Sequence, residues 1–141
     1  VGPRATAIQA VYEALQSNPR LNTLLGHNPG ATTYPEAKII GEALRVDVSL
    51  PLIQIGVGLE EATASPKRGG DRRMQIYLTV YAATVYELAD IFDEIENAVQ
   101  EYPSAPSQAI ARIQWGGAEG MDTDTSIITG RALVIVQWVD R

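Results

Sequence analysis

The chain has 141 residues, 45% of them hydrophobic and 20% charged, and its 17 acidic against 11 basic side chains give a formal charge of −6. That describes a single domain, apolar enough to bury a core and too apolar for a disordered tail. With no cysteine and one histidine, disulfides, thiol nucleophiles and cysteine zinc sites are excluded, and little remains for imidazole-based metal or triad chemistry.

From Ala5 to Ser17, Ile8, Val11, Tyr12 and Leu15 recur at helical spacing and predict an amphipathic helix stopped at Asn18-Pro19. A short apolar cluster of Leu21, Leu24 and Leu25 ends at Gly26, and His27 to Pro35 reads as loop. Ala37 to Leu44 suits a brief helix, whereas Val46, Val48 and Leu50 alternate with Asp47 and Ser49, so 45–50 is read as a half-buried strand. Leu52 to Val57, β-branched and bounded by Pro51 and Gly58, is a strand, and Glu60 to Asp71 is a long polar loop. Met74, Ile76, Leu78 and Val80 alternate with Gln75, Tyr77, Thr79 and Tyr81 in the clearest strand of the chain.

Thr84-Val-Tyr-Glu87 is a capping box, opening a helix whose buried stripe is Leu88, Ile91, Phe92, Ile95 and Val99 and whose end is Tyr102-Pro103. Ile110 to Trp115 is a strand, Gly116 to Thr125 a loop and Ile127 to Val139 a final strand, apolar on both faces. The expectation is an α+β fold of order α-β-β-α-β-β, with a four-stranded, mostly antiparallel sheet, two helices on one face and an extra segment near 34–50. Ala132, Val134, Val136 and Trp138 would face the helices. Leu133, Ile135 and Val139 would then need a cover, either the chain's own segment 34–50 or another subunit.

The acidity is local. Glu87, Asp90, Asp93, Glu94, Glu96 and Glu101 fall between Thr84 and Glu101 without a single Lys or Arg, leaving 11 acids against all 11 bases elsewhere. Most of these acids lie opposite the apolar stripe, the ordinary arrangement of a solvated face. Yet Glu101 sits where the helix dipole disfavours an anion, and no cation lies three or four residues from any of them within the helix. The basic segment holding Lys67, Arg68, Arg72 and Arg73 is the natural counter-charge, within the chain or across an interface.

Familiar site chemistry is missing. His27 stands alone in a Gly-Pro loop and is read as solvated, and Asp122, Asp124 and Glu119 lack the spacing of a calcium loop. Gly69-Gly70 and Gly116-Gly117 match neither a dinucleotide fingerprint nor a P-loop. Asp90, Asp93 and Glu94 have no apolar surround to tune an acid/base pair. No catalytic, cofactor-binding or metal residue is therefore assigned. A negative chain without a basic stripe does not bind nucleic acid tightly, although an acidic surface suits a pore through which DNA slides. The absence of a basic segment leading into an apolar one predicts a cytoplasmic chain.

The N-terminal helix, the strand entered through Leu50-Pro51-Leu52-Ile53-Gln54-Ile55, the alternating Met74–Tyr81 strand, the Glu87–Val99 helix and the closing Arg131–Trp138 strand together resemble the tail terminator (tail completion, or minor tail) proteins of long-tailed bacteriophages. The resemblance is one of element order and hydrophobic texture across nearly the whole chain. It implies a non-enzymatic virion protein, assembled in the host cytoplasm, that forms a hexameric ring at the head-proximal end of the tail. Such a ring stops growth of the tail tube and meets both the tube protein and the head connector, with no membrane partner and with DNA passing through it. Lys67, Arg68, Arg72 and Arg73 in a docking arm over 60–73, the acids Glu87, Asp90, Asp93 and Glu94, and Leu133 and Ile135 on the open sheet face are the expected interface residues. The alternatives are another head-tail connector protein, or a ferredoxin-like regulatory domain that dimerises through the sheet and binds a small ligand.

Overall fold

A computed structural model describes residues 3–31, 33–41, 49–62, 71–101, 108–122 and 127–139. Helix α1 (Pro3–Gln16) is followed by a seven-residue helix α2 (Pro19–Leu25), a two-residue strand β1 (Ile39–Ile40), the long strands β2 (Leu52–Ala62) and β3 (Asp71–Ala82), helix α3 (Val85–Glu101), and strands β4 (Gln108–Asp122) and β5 (Ile127–Val139).

The sheet runs β1-β2-β3-β5-β4. Its four long strands are antiparallel, and β1 joins β2 in parallel through Ile39↔Ile53 and Ile40↔Gln54. The α+β order read from the sequence holds, with α2 as a third helix. Asn18-Pro19 does more than stop α1. The Asn18 side-chain oxygen accepts from the amides of Arg20 (2.9 Å) and Leu21 (3.2 Å), Pro19 supplies the first helical residue, and Gly26 at φ +71° closes α2 in the left-handed region.

Three boundaries differ from the sequence reading. Glu60 to Ala62 belong to β2, paired with Arg72 to Met74 beyond a register shift at Val57/Glu60, so the polar loop is shorter than 60–71. The expected loop from Gly116 is strand as far as Asp122, because shifts at Trp115/Ala118 and Ala118/Gly120 absorb the extra residues as bulges. The additional strand lies at Ile39–Ile40, inside the stretch Ala37–Leu44 that suits a brief helix by sequence and whose last residues, 42–44, lie outside the described residues, while Ser49 and Leu50 precede the sheet. The rest of the 45–50 expectation, at 45–48, lies outside the described residues, as do 63–70, the helix stop at 102–103 and the 123–125 end of the expected last loop.

All three helices cover one face of the sheet. Val11 and Leu15 of α1, Leu21 and Leu25 of α2, and Leu88, Ile91, Phe92 and Ile95 of α3 pack against Ile53, Met74, Ile76, Leu78, Val80, Ala132, Val134 and Val136 in one core. The two apolar stripes expected from sequence are both in place, although Ile8 and Tyr12 of α1 are only partly buried, at its margin. A smaller cluster of Ala37, Ile40 and Leu52, flanked by Ala31, Tyr34 and Tyr81, sits on the other face at the β1 end. Ala31, Tyr34, Ala37 and Ile40 thus cover one end of the second face. Further along, Leu133 and Ile135 stay half-buried beside Gln75 and Tyr77.

Candidate assembly surfaces

The acidic surface is built on α3. The Thr84 hydroxyl accepts from the Glu87 amide (3.1 Å), and the Glu87 carboxylate accepts from the amide of Ala83 (3.1 Å), one residue ahead of the expected cap amide. With that end fixed, Leu88, Ile91, Phe92, Ile95, Ala98 and Val99 turn inward, Asp90, Asp93 and Glu96 are exposed, and Glu87 and Glu94 are half-buried. The Glu94 carboxylate accepts from the Asn18 amide nitrogen (3.0 Å), which also donates to the Glu94 carbonyl (3.2 Å). Asn18 therefore caps α2 with its oxygen and ties α2 to α3 with its nitrogen.

Between these two helices runs an open groove of about 510 Å³. Pro19, Thr23 and the exposed Leu24 form one wall, Asp90, Asp93 and Glu94 the other, and Arg20 is its basic residue. Three of the four acids singled out from sequence meet here. Glu87 sits at the helix start, close enough to favour the charged form of Lys38.

The second surface is the helix-free face of the sheet. Tyr77 lies over Gly58, where a Cβ would run into its ring, its hydroxyl donates to Gln75 (3.2 Å), and the Arg131 guanidinium stands 5.2 Å above the ring centroid. Tyr77 pairs with Leu133 and Gln75 with Ile135, so the two apolar residues predicted for this face share it with an amphipathic tyrosine. Arg73, exposed at the far end of β3, alternates with buried Met74 and so lies on this face, away from α3. Arg72 lies beside it in β3, and Lys67 and Arg68 fall outside the described residues. The structure thus separates the acids of α3 from Arg73 by the thickness of the sheet.

His27 is buried, contrary to the solvated loop position expected for it. Its Nδ1 accepts from the Lys38 amide (3.0 Å), its ring meets Tyr12 edge-on, and its Nε2 has no hydrogen-bond partner among the described residues. Burial lowers its pKa, so the imidazole is held neutral as a brace between the end of α2 and β1. Lys38 is buried beside it, donating to the Ser49 hydroxyl (3.1 Å) and the Leu25 carbonyl (3.4 Å), and burial lowers its pKa as well. Neither residue stood out from sequence as a core residue, since a lone histidine in a Gly-Pro loop carries no periodic signal.

Among the described residues, no group of three or more His, Cys, Asp and Glu is placed to hold a metal ion, and no helix is long and apolar enough to cross a membrane. No protein-family model matches the chain, and no curated protein matches it in sequence. Its fold is shared with a chain of a solved structure, the virion of a native gene transfer agent (GTA) particle. The two align over 100% of both chains with a TM-score of 0.61 and 14% identity. At that identity the likeness is one of fold.

Proposed function

We propose that this chain is a structural virion protein of the tail terminator type, which assembles as a ring at the head-proximal end of a phage-like tail, halts growth of the tube and joins it to the head connector. The observation that carries this reading is the end-to-end fold match to a chain of the gene transfer agent virion. A partial match would fit a common supersecondary unit, whereas this alignment runs the full length of both chains. The surface is in keeping with it. Among the described residues, the polar groups named above gather on two exposed faces, which suits assembly better than turnover. In this role the protein is not an enzyme, needs no cofactor, and encircles DNA without gripping it.

The test is the mass of the purified protein over a range of concentration and salt, alone and with phage-like tail tubes, followed by imaging. A closed ring with a central hole, or specific capping of tube ends, supports the reading. A strict side-by-side dimer that never caps tubes would overturn it in favour of a regulatory domain.

A further inference from the structure

The helix-free face of the sheet carries an arginine that the fold turns away from the acids of α3. A Cβ on Gly130 would strike Phe92 and Leu88, so that position of β5 faces α3, and Arg131, the next residue, faces the other way. Its guanidinium stands 5.2 Å above the Tyr77 ring, and its register partner in β3 is Thr79. Stacking engages the flat face of a guanidinium, whereas its N–H edge is the part that pairs with carboxylates. Leu133 and Ile135 continue this face along β5 at half burial. Arg73 shares the face but lies at the far end of β3, with Glu61 as its register partner in β2. On the other side of the molecule, the α2–α3 groove gathers Asp90, Asp93 and Glu94 against one base, Arg20, beside the exposed Leu24. Among the described residues, Asp90 and Asp93 have no hydrogen-bond or ion-pair partner. Both stand on the exposed side of α3, so a helix about 10–12 Å across and the sheet beneath it separate them from Arg131 of their own chain.

We infer that the helix-free face of one copy seats on the α2–α3 groove of a second copy, with Arg131 between Asp90 and Asp93 and Leu133 against Leu24. This rests on the ring reading above and names its contact. The occupant follows from complementarity of charge and of apolar surface. The groove has three carboxylates to one base and an exposed leucine, and the face has a stacked arginine beside half-buried aliphatic side chains. An arginine serves both halves of such a contact, its stem covering apolar surface while its head meets carboxylates in a fixed fork. The seat also gives Leu133 and Ile135 the cover that the helices give the opposite face of the sheet. Because groove and face are different patches, the contact is heterologous: it repeats from copy to copy and closes into a ring when its rotation permits, where a two-fold pair would use one patch twice.

Two experiments on the full chain test this. The first reverses charge on either side, as Arg131→Glu or as Asp90→Arg with Asp93→Arg. Each variant alone should keep its circular dichroism spectrum and weaken self-association about tenfold or more. Their equimolar mixture should regain assembled mass, because each altered groove then meets an altered face while the unaltered groove and face also match. Unchanged association in either variant, or a mixture that does not recover, would overturn the inference. The second leaves the charges in place and uses the absence of native cysteine. Thr23→Cys in the groove of one chain and Thr79→Cys beside Arg131 in another, differently tagged, should give a disulfide-linked pair under mild oxidation only when both are present. Closed rings without that link overturn the docking and leave the ring reading standing. The link in an assembly that neither closes nor caps tail tubes supports the docking and overturns the ring reading. A monomer that never links, with or without tubes, overturns the docking.

Discussion

Phe92 closes over Gly130: a Cβ added to that glycine would lie 2.7 Å from Phe92 Cε2 and 3.0 Å from Leu88 Cδ2. The missing side chain lets α3 settle onto the central strands. Gly130→Ala should therefore cost about 1–3 kcal/mol through overpacking, and Gly130→Val more. A lower urea midpoint at unchanged slope is the expected result, and a neutral Gly130→Ala would mean that α3 does not sit this close.

Asn18→Ala removes the cap of α2 and the tie to Glu94 together. The cap alone is worth about 0.5–2 kcal/mol, and the variant should also loosen the groove, since Asn18 holds its two walls in register. Asn18→Asp keeps the capping oxygen but places a carboxylate against Glu94, so it should recover little. Thermal melts of the three proteins rank them, and an Asn18→Asp protein as stable as the parent would refute the tie.

The open face separates packing from assembly. Leu133→Asp or Ile135→Asp alters a half-buried side chain and should leave a folded protein within about 1–2 kcal/mol of the parent but weaken its association. Val134→Asp, one residue away and fully buried, should cost more than about 4 kcal/mol and unfold the domain. Circular dichroism with sedimentation velocity distinguishes the outcomes. Loss of folding in all three would assign Leu133 and Ile135 to the core.

His27 makes stability depend on pH. In the unfolded chain it takes up a proton near its ordinary value of 6.5, while in the folded protein burial lowers that value. Just below 6.5 the unfolded state binds more protons, so stability is complete above that pH and falls as pH drops toward the folded value. The slope reaches at most about 1.4 kcal/mol per pH unit. Lys38 acts at the alkaline end with the same sign, its stability rising as pH approaches 10.5. Urea titrations from pH 7.5 to 5.5 should show the acid slope, and His27→Gln should flatten it.

Regular periodicity was easy to read in the sequence. The alternation from Met74 to Tyr81 is β3, and Thr84 with Glu87 marks the start of α3, because in both a local rule agrees with the tertiary structure. Legibility failed where one residue serves two purposes. Pro19 breaks one helix and begins another, and the glycines of 116–120, which ordinarily signal a turn, here ride in bulged strand. Of the candidate surfaces, the acid pattern on α3 was readable from its own spacing. Its partner wall, Pro19 to Leu24, was not, since only the folded chain brings α2 alongside α3. The burial of His27 and Lys38 likewise depends on contacts between distant segments.

Irregularity in the sheet falls on its outer strands. The central β3–β5 pair keeps one register over twelve residue pairs, from Asp71↔Val139 to Ala82↔Ile128, while β2 shifts once and β4 three times along their ladders. A flat, unbroken border would offer a row of amides and carbonyls to any passing extended chain, and kinks of this kind deny it that template. Contacts with other chains are thereby left to side chains, which discriminate between partners, whereas exposed backbone would accept almost any strand and fuse chains into fibres.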